Sequence, residues 1–221
     1  MSKYRSTVRW RFCASNCGLS NSHKKSAPNL VSHLRHILSI ALLCLLSLLT
    51  AHAGQQKDPE LEPLLRQALA ANEDCFVDRF DREVWFTTME PKLKRLVTNA
   101  DERTHILERV YCESKRLRLP AGLVMAVIEV ESRFDRWAVS SAGAVGLMQV
   151  MPFWPRQLGM SNAQLVRIPE NIRMGCTILK YYLDREKGDY TKALARYNGS
   201  VNRRQYPDKV LTRLADRWNF R

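Results

Sequence analysis

The sequence predicts an all-α protein, and three observations carry this prediction. Apolar residues recur at spacings of three and four in one segment after another, as they do on the buried face of an amphipathic helix. Helix-start signals precede two of these segments, with Asp101 as a candidate N-cap and Pro120 in a first helical turn. Strand signals are weak, because alternating runs are few and no Asn-Gly turn separates two apolar stretches.

The predicted helices follow one another from residue 61 onward. Their apolar positions are Leu61, Leu64, Leu65, Ala68 and Leu69; Phe76, Phe80, Val84 and Trp85; Ile106, Leu107, Val110 and Tyr111; Ile172, Ile178, Leu179 and Leu183; and Val210, Leu211, Leu214 and Trp218. The segment from Gly122 to Val130 is apolar all round except for Glu129, which is typical of a buried helix. Around Ala138 to Val145 we expect a small irregular or hairpin-like piece.

Residues 1–53 are predicted to be a signal peptide with an extended n-region. Ile37 to Leu49 is apolar except for two serines, and it is shorter than the about 20 residues that a membrane-spanning helix needs. Ala51 to Ala53 supplies small residues at the cleavage positions, so the mature chain would start at Gly54. We therefore expect a periplasmic or secreted protein that is not integral to the membrane after cleavage. A buried helix is the alternative for the apolar segment.

The net charge of +13 is distributed unevenly. The predicted leader holds seven Lys or Arg and no acidic residue, which leaves 28 basic and 22 acidic side chains, a net charge of +6, for the rest. A strongly basic chain suggests a nucleic-acid partner, but more than half of the excess lies in the leader. The remaining charge is ordinary for solubility and also suits an anionic polymer as substrate. We therefore predict no nucleic-acid partner.

Three cysteines remain outside the leader, namely Cys75, Cys112 and Cys176. No CxxC or Cys/His spacing typical of a metal site occurs, so neither a metal nor another cofactor is expected. Three cysteines in an oxidising compartment allow one disulfide and one free thiol. Cys176 lies beside Gly175 in a helical pattern and is expected to be the buried thiol, and Cys75 is expected to pair with Cys112.

The chain is organised around Ala126 to Pro152, where the apolar helix ends in a Glu-Ser pair and a Gly-rich turn follows. A carboxyl at Glu131 would lie against the apolar face of the helix, and loss of hydration there would raise its pKa towards the range that a general acid needs. Glu129 is the alternative on another face, and periodicity does not choose between them. Either glutamate could instead be a partly buried carboxylate paired with an arginine.

The residues after this helix supply groups that bind sugars. Ser140 and Gly146 let the backbone bend close to a ligand, and Gln149 offers a donor and acceptors. Four side chains offer apolar and aromatic walls: Met148, Met151, Phe153 and Trp154. Asp135 is the obvious second carboxylate, but Glu131 is predicted to end the helix, so the two need not face each other. We expect Asp135 to cap a loop.

Four separated motifs then occur in order along the second half of the chain. They are Glu131-Ser132; Ser140 to Ala144 followed by Gly146 to Pro152; Asn171-Ile172 with Gly175; and Ala195 to Gly199. Tyr206 and Lys209 to Leu211 continue the same pattern. Together they resemble the catalytic domain of the soluble-type (SLT, family 1) lytic transglycosylases, over about Leu117 to Leu214. Two departures occur, since Ile178 stands where the family often has Tyr and Gly199 to Val201 replaces its usual Ala-Gly-Pro.

The resemblance implies a fold, a substrate and a set of site residues. The fold is a lysozyme-like helical domain with a glycan-binding cleft, here residues 117–221, preceded by a helical segment at residues 54–116. The substrate is peptidoglycan, cut between N-acetylmuramic acid and N-acetylglucosamine, and no particular protein partner is indicated. The family's single catalytic carboxylate corresponds to Glu131. Its cleft residues correspond to Ser140, Gln149, Met151 and Tyr197, and its helix-opening Asn that supports the cleft corresponds to Asn171. With Met148 from the apolar wall and Asn198 from the Tyr-Asn pair, these are the predicted substrate-binding residues.

The count of carboxylates predicts the reaction. A retaining hydrolase ordinarily needs a second carboxylate about 5 Å from the first. With Glu131 alone, the substrate must supply the nucleophile, and the product would carry a 1,6-anhydro ring. Two alternatives stay open: a hydrolysing lysozyme-like muramidase, and a non-catalytic glycan-binding or assembly factor.

Overall fold

The computed structural model describes residues 55–71 and 79–220. Within these ranges the protein consists of eight α-helices and one 3₁₀ helix: α1 Leu61–Ala70, α2 Arg79–Leu93, α3 Ala100–Leu117, α4 Ala121–Ser132, α5 Phe153–Gln157, the 3₁₀ helix Asn162–Val166, α6 Ile168–Arg185, α7 Tyr190–Asn198 and α8 Gln205–Asp216. The all-α prediction is confirmed. The predicted signal peptide, residues 1–53, lies outside the described residues.

Helix α6 lies at the centre of the fold, where it packs against α1, α3 and α7. Helix α4 packs between α3 and α8 and is buried from Gly122 to Glu129, as its uniformly apolar sequence predicts. A fully buried Leu, Ile or Val side chain contributes about 1.5–3 kcal/mol, so α4 and α6 anchor the core. The helix that ends at the candidate acid is therefore held rigidly from all sides. Among the helices of the described ranges, none has the length and apolar character to cross a membrane.

The predicted N-cap Asp101 is wrong, because α3 begins two residues earlier than expected. Asn99 has an extended backbone, and its side chain accepts a hydrogen bond from the backbone N–H of Glu102 at 2.8 Å. This satisfies one of the unpaired donors at the helix start. Asp101 lies in the first turn, where the helix dipole favours a negative charge.

A buried carboxylate joins α3 to α6. Glu113 is only 1% exposed, and its two oxygens accept hydrogen bonds from Arg173 at 2.8 Å and from Arg116 at 2.8 Å. A buried charge is tolerated only when it is paired in this way. The predicted boundary between residues 116 and 117 falls just before the last residue of α3, three residues after Glu113.

The buried thiol predicted at Cys176 is confirmed. The side chain is free and fully buried in α6, with its sulfur 3.9 Å from that of Met148. Burial raises the pKa of the Cys176 thiol well above its ordinary value. Cys112 is disulfide-bonded. Cys75 lies outside the described residues, so the pairing of Cys75 with Cys112 stays a prediction.

Candidate active site

Glu131 is the last residue but one of α4, and the next residue fixes the end of that helix. The Ser132 hydroxyl donates a hydrogen bond to the backbone carbonyl of Leu147 at 2.8 Å and accepts one from the N–H of Phe134 at 3.1 Å. Arg133 and Phe134 take left-handed conformations with φ of 55° and 68°, which turn the chain sharply away from the helix. The Glu-Ser pair therefore places a carboxyl at the junction between a buried helix and the Gly-rich turn.

The Glu131 carboxyl is held in a half-buried position by neutral donors. The hydroxyl of Tyr206 in α8 donates to Oε1 at 2.6 Å, and the Asn198 side chain at the end of α7 also hydrogen-bonds the carboxyl. Burial raises the pKa of Glu131 to about 7, although both hydrogen bonds lower it. The group is thus poised to release and regain a proton near neutral pH.

The environment of Glu129 is different. The indole N–H of Trp218 donates to its Oε2 at 2.6 Å, and Arg217 donates to its Oε1 at 2.8 Å. Arg213 lies 3.3 Å from the same oxygen. Glu129 is a buried, ion-paired carboxylate that fastens the chain after α8 to α4, and its oxygens do not face the pocket at Glu131.

An open pocket lies in front of Glu131. The side chains that line it are Gln55, Glu131, Ser140, Ala144, Gln149, Met151, Tyr197 and Asn198. Five of the seven predicted substrate-binding residues are in this set. Met148 and Asn171 are not.

The prediction for Met148 needs correction, because its side chain belongs to the core. It is fully buried, and its Sδ packs against Gly175 so closely that a Cβ there would lie 2.5 Å from the sulfur. Only its backbone reaches the site, since its carbonyl oxygen accepts a hydrogen bond from the Tyr197 hydroxyl at 2.7 Å. Met148 thus fixes the position of a pocket residue from behind.

Asn171 also acts from behind the pocket, where it supports the Gly-rich turn. It is buried in the first turn of α6, accepts a hydrogen bond from the N–H of Met148 at 2.8 Å, and donates to the carbonyls of Val145 at 2.9 Å and Leu165 at 2.8 Å. Gly146 has φ of +83°, and a Cβ there would lie 2.4 Å from the Asn171 amide. The glycine is required both by its backbone conformation and by this close approach.

Ser140 and Gln149 shape the wall opposite. The Ser140 hydroxyl accepts the N–H of Ala144 at 3.0 Å, which closes a tight turn. Gln149 has φ of 49°, and its Nε2 donates to the carbonyls of Ala138 at 3.1 Å and Gly146 at 2.9 Å. Because both amide hydrogens are engaged, a ligand can meet only its carbonyl oxygen. The segment from Val139 to Val150 is held by isolated antiparallel bridges, in agreement with the irregular piece expected there.

Comparison with known proteins finds a family match for the part of the chain that carries Glu131. Residues 111–213 match the family described as the transglycosylase SLT domain. A transglycosylase of Enterobacteria phage PRD1 is 35% identical over 111 residues, which cover 47% of this chain and 41% of that protein. The membrane-bound lytic murein transglycosylase C of Glaesserella parasuis serovar 5 (strain SH0165) is 51% identical over 39 residues, 18% of this chain and 11% of that protein.

This chain therefore spans well under half the length of these curated relatives. Among solved structures, an inactive mutant of the lytic transglycosylase Slt from Pseudomonas aeruginosa aligns with a TM-score of 0.45 and 20% identity, over 73% of this chain and 37% of that chain.

Asp135 lies within the matched residues 111–213 but outside the pocket lining. It is exposed, and its Oδ1 accepts the N–H of Trp137 at 2.8 Å. The carboxylate caps the loop after α4, which is the role expected from the sequence. Across the described residues, no three His, Cys, Asp or Glu side chains converge as a metal site would require.

Two residues at the pocket, Tyr206 and Gln55, were not assigned from the sequence. Tyr206 is among the residues that match the SLT family, but its spacing from Glu131 gave no sign that its hydroxyl reaches the acid. Gln55 lies outside the matched residues altogether, and no sequence signal points to it. It enters the pocket from the segment before α1, and its Oε1 accepts a hydrogen bond from the N–H of Met151 at 3.3 Å.

Proposed function

We propose that this protein is a peptidoglycan lytic transglycosylase. In this proposal it cleaves the β-1,4 bond between N-acetylmuramic acid and N-acetylglucosamine and leaves a 1,6-anhydro-N-acetylmuramic acid end. The observation that carries the proposal is a single half-buried carboxyl in the pocket of an SLT domain, with a pKa raised to about 7. The names of the relatives, transglycosylase and lytic murein transglycosylase, point to the same reaction class.

The first half of the proposed reaction breaks the glycosidic bond. Glu131 in its protonated form donates its proton to the leaving glycosidic oxygen while the carbonyl oxygen of the 2-acetamido group attacks the anomeric carbon. The product of this step is a cyclic oxazolinium on the muramic acid residue and a free 4-hydroxyl on the neighbouring sugar. Glu131 is left as a carboxylate, which the Tyr206 hydroxyl at 2.6 Å stabilises.

The second half closes the anhydro ring. The Glu131 carboxylate takes the proton of the sugar's own 6-hydroxyl, whose oxygen attacks the anomeric carbon and opens the oxazolinium. The net result is the transfer of one proton from the 6-hydroxyl to the leaving oxygen, and no water is consumed. A hydroxyl held in the same sugar has a high effective concentration, which lets it compete with water.

The lining of the pocket supports an internal nucleophile. Glu131 is the one carboxylate among the described residues that line it, and Asp135 is exposed and engaged in capping its own loop. A retaining hydrolase would need a second carboxylate about 5 Å from the acid. A hydrolase and a non-catalytic glycan-binding factor are the alternatives that the experiment has to separate.

The proposal includes an envelope location. Residues 1–53 have the composition of a signal peptide, and the net charge of +6 on the rest suits an anionic wall polymer. The proposed organisation is a leader at 1–53, a helical segment at 54–116 and a catalytic domain at 117–221, acting in the periplasm or after secretion. Peptidoglycan glycan strands are the proposed partner.

Mass spectrometry of the products released from purified sacculi tests the reaction. We expect muropeptides that are lighter by one water than lysozyme products, and no such release by the Glu131→Gln variant. Reducing ends as the main product would identify a hydrolase. Binding to sacculi without any release by the unaltered protein would identify a non-catalytic factor.

A further inference from the structure

Gln55 comes from far along the chain and is nonetheless built into the catalytic pocket. It precedes α1 and lies 96 residues from its hydrogen-bond partner Met151, yet only 7% of its surface is exposed. Its neighbour Gln56 is exposed and lines a different depression. Burial of one glutamine from an extended segment, beside the candidate acid Glu131, calls for a specific reason.

The orientation of the Gln55 amide is set by the backbone. Its Oε1 accepts the N–H of Met151, so its Nε2 has to occupy the opposite side of the amide group. That nitrogen is buried close to the Tyr197 side chain but makes no hydrogen bond of ordinary geometry with any described residue. Leaving a buried donor unpaired costs about 1–3 kcal/mol. A buried donor beside the pocket, whose contact with Tyr197 falls outside ordinary hydrogen-bond geometry, is available to a ligand.

The segment that carries Gln55 is anchored at a second point. Asp58 accepts hydrogen bonds from Tyr181 at 2.7 Å and from Arg185 at 2.6 Å, both on α6. The ammonium of Lys57 lies 5.7 Å above the ring of Phe153. These contacts fix the segment on both sides of residue 56, so the Gln55 amide is held in place before a ligand arrives.

We propose that Gln55 is a substrate-binding residue whose Nε2 donates a hydrogen bond to an acceptor oxygen, a hydroxyl or an acetamido carbonyl, of the N-acetylated sugar bound beside Glu131. This proposal depends on the proposed function only in that the ligand is taken to be an N-acetylated sugar. It assigns part of the glycan site to residues that precede the SLT domain. Gln55, Tyr197 and Asn198 then all line the space that the sugar would occupy.

The test is the binding of a β-1,4-linked N-acetylglucosamine tetramer, measured by isothermal titration calorimetry. The full-length protein carries Glu131→Gln so that turnover cannot interfere. Gln55→Leu removes both amide groups, whereas Gln55→Glu retains an acceptor for the Met151 N–H and replaces only the donor. Gln56→Leu is the matched control, because the same change is made one residue away on an exposed side chain.

We expect Gln55→Leu and Gln55→Glu to weaken tetramer binding roughly 3- to 10-fold, the effect of one lost hydrogen bond, with Gln56→Leu unchanged. A purely structural role would leave Gln55→Glu with normal affinity, because the Met151 contact is kept, and that result would overturn the proposal. Tighter binding by Gln55→Leu would show that the segment obstructs the site instead. If the tetramer fails to bind with Gln55 intact, the proposed ligand is wrong. If the Gln55 variants weaken binding as expected but the protein with Glu131 intact releases no anhydro product from sacculi, the proposed function alone is refuted.

Discussion

Tyr206→Phe is the sharpest test of how the pocket sets the pKa of its acid. Burial raises the pKa of Glu131 to about 7, and the hydrogen bond from Tyr206 opposes that rise because it stabilises the ionised form. A hydrogen bond to a charged group contributes about 1.5–3 kcal/mol, and one pKa unit corresponds to about 1.4 kcal/mol. Since Glu131 is only half-buried and its neutral form can also accept the hydrogen bond from Tyr206, we expect an effect at the lower end of this range. The pKa of Glu131 should therefore rise by about one unit in Tyr206→Phe.

The assay is the pH dependence of kcat/KM on purified peptidoglycan. A general acid must be protonated, so activity should fall as pH rises through the pKa of Glu131. We expect this alkaline limb near pH 7 in the unaltered protein and about one unit higher in Tyr206→Phe. Tyr197→Phe is the control, because that hydroxyl donates to the carbonyl of Met148 instead of to the acid, and the limb should stay in place. A limb that stays or moves to lower pH in Tyr206→Phe would refute the reasoning.

Three further predictions concern the carboxylates and the thiols. Glu131→Gln should lower turnover at least about 100-fold. It should also be more stable than the unaltered protein, by a margin that grows from about pH 4.3 to pH 7. The reason is that a carboxyl whose pKa is raised on folding contributes stability at low pH, and this contribution is lost as the carboxyl ionises. Glu129→Gln should instead lower the midpoint of thermal unfolding and leave the pH dependence of activity unchanged. The reverse pattern would make Glu129 the catalytic acid and Glu131 the structural carboxylate. Asp135→Asn should leave rate and product nearly unchanged in product analysis, whereas lost activity would favour a hydrolase. Peptide mapping without reduction should find Cys75 joined to Cys112, a link worth about 3 to 4 kcal/mol, and two free thiols would exclude it.

The sequence was sufficient for local features of the fold. The helices around Leu61, Ile106, Ile172 and Val210 were predicted because apolar spacing reports which face of a helix is buried. The N-cap was misplaced because Asn99 and Asp101 are both suitable caps, and only the backbone conformation distinguishes the cap from a first-turn residue.

Partners that are distant in the sequence could not be predicted. The choice between Glu129 and Glu131 depends on Trp218 and Tyr206, which reach α4 from the far end of the chain. Met148 was expected to line the pocket because it lies in the Gly-rich turn, but the turn points its side chain towards Gly175. Side-chain direction in an irregular segment follows from backbone dihedrals that no periodicity encodes.

The contact between Glu113 and Arg173 determines how short a working fragment can be. A fragment that starts at residue 117 would delete the carboxylate and leave the Arg173 guanidinium, which is 5% exposed, in the core without its counter-charge. Removing one partner of a buried ion pair costs about 3–5 kcal/mol, a large part of the about 5–15 kcal/mol that stabilises a typical domain.

The smallest fragment that folds should therefore retain α3 in full, and one that also binds glycan should reach back to Gln55. The shortest fragment that both folds and binds glycan is thus expected to be longer than the matched residues 111–213.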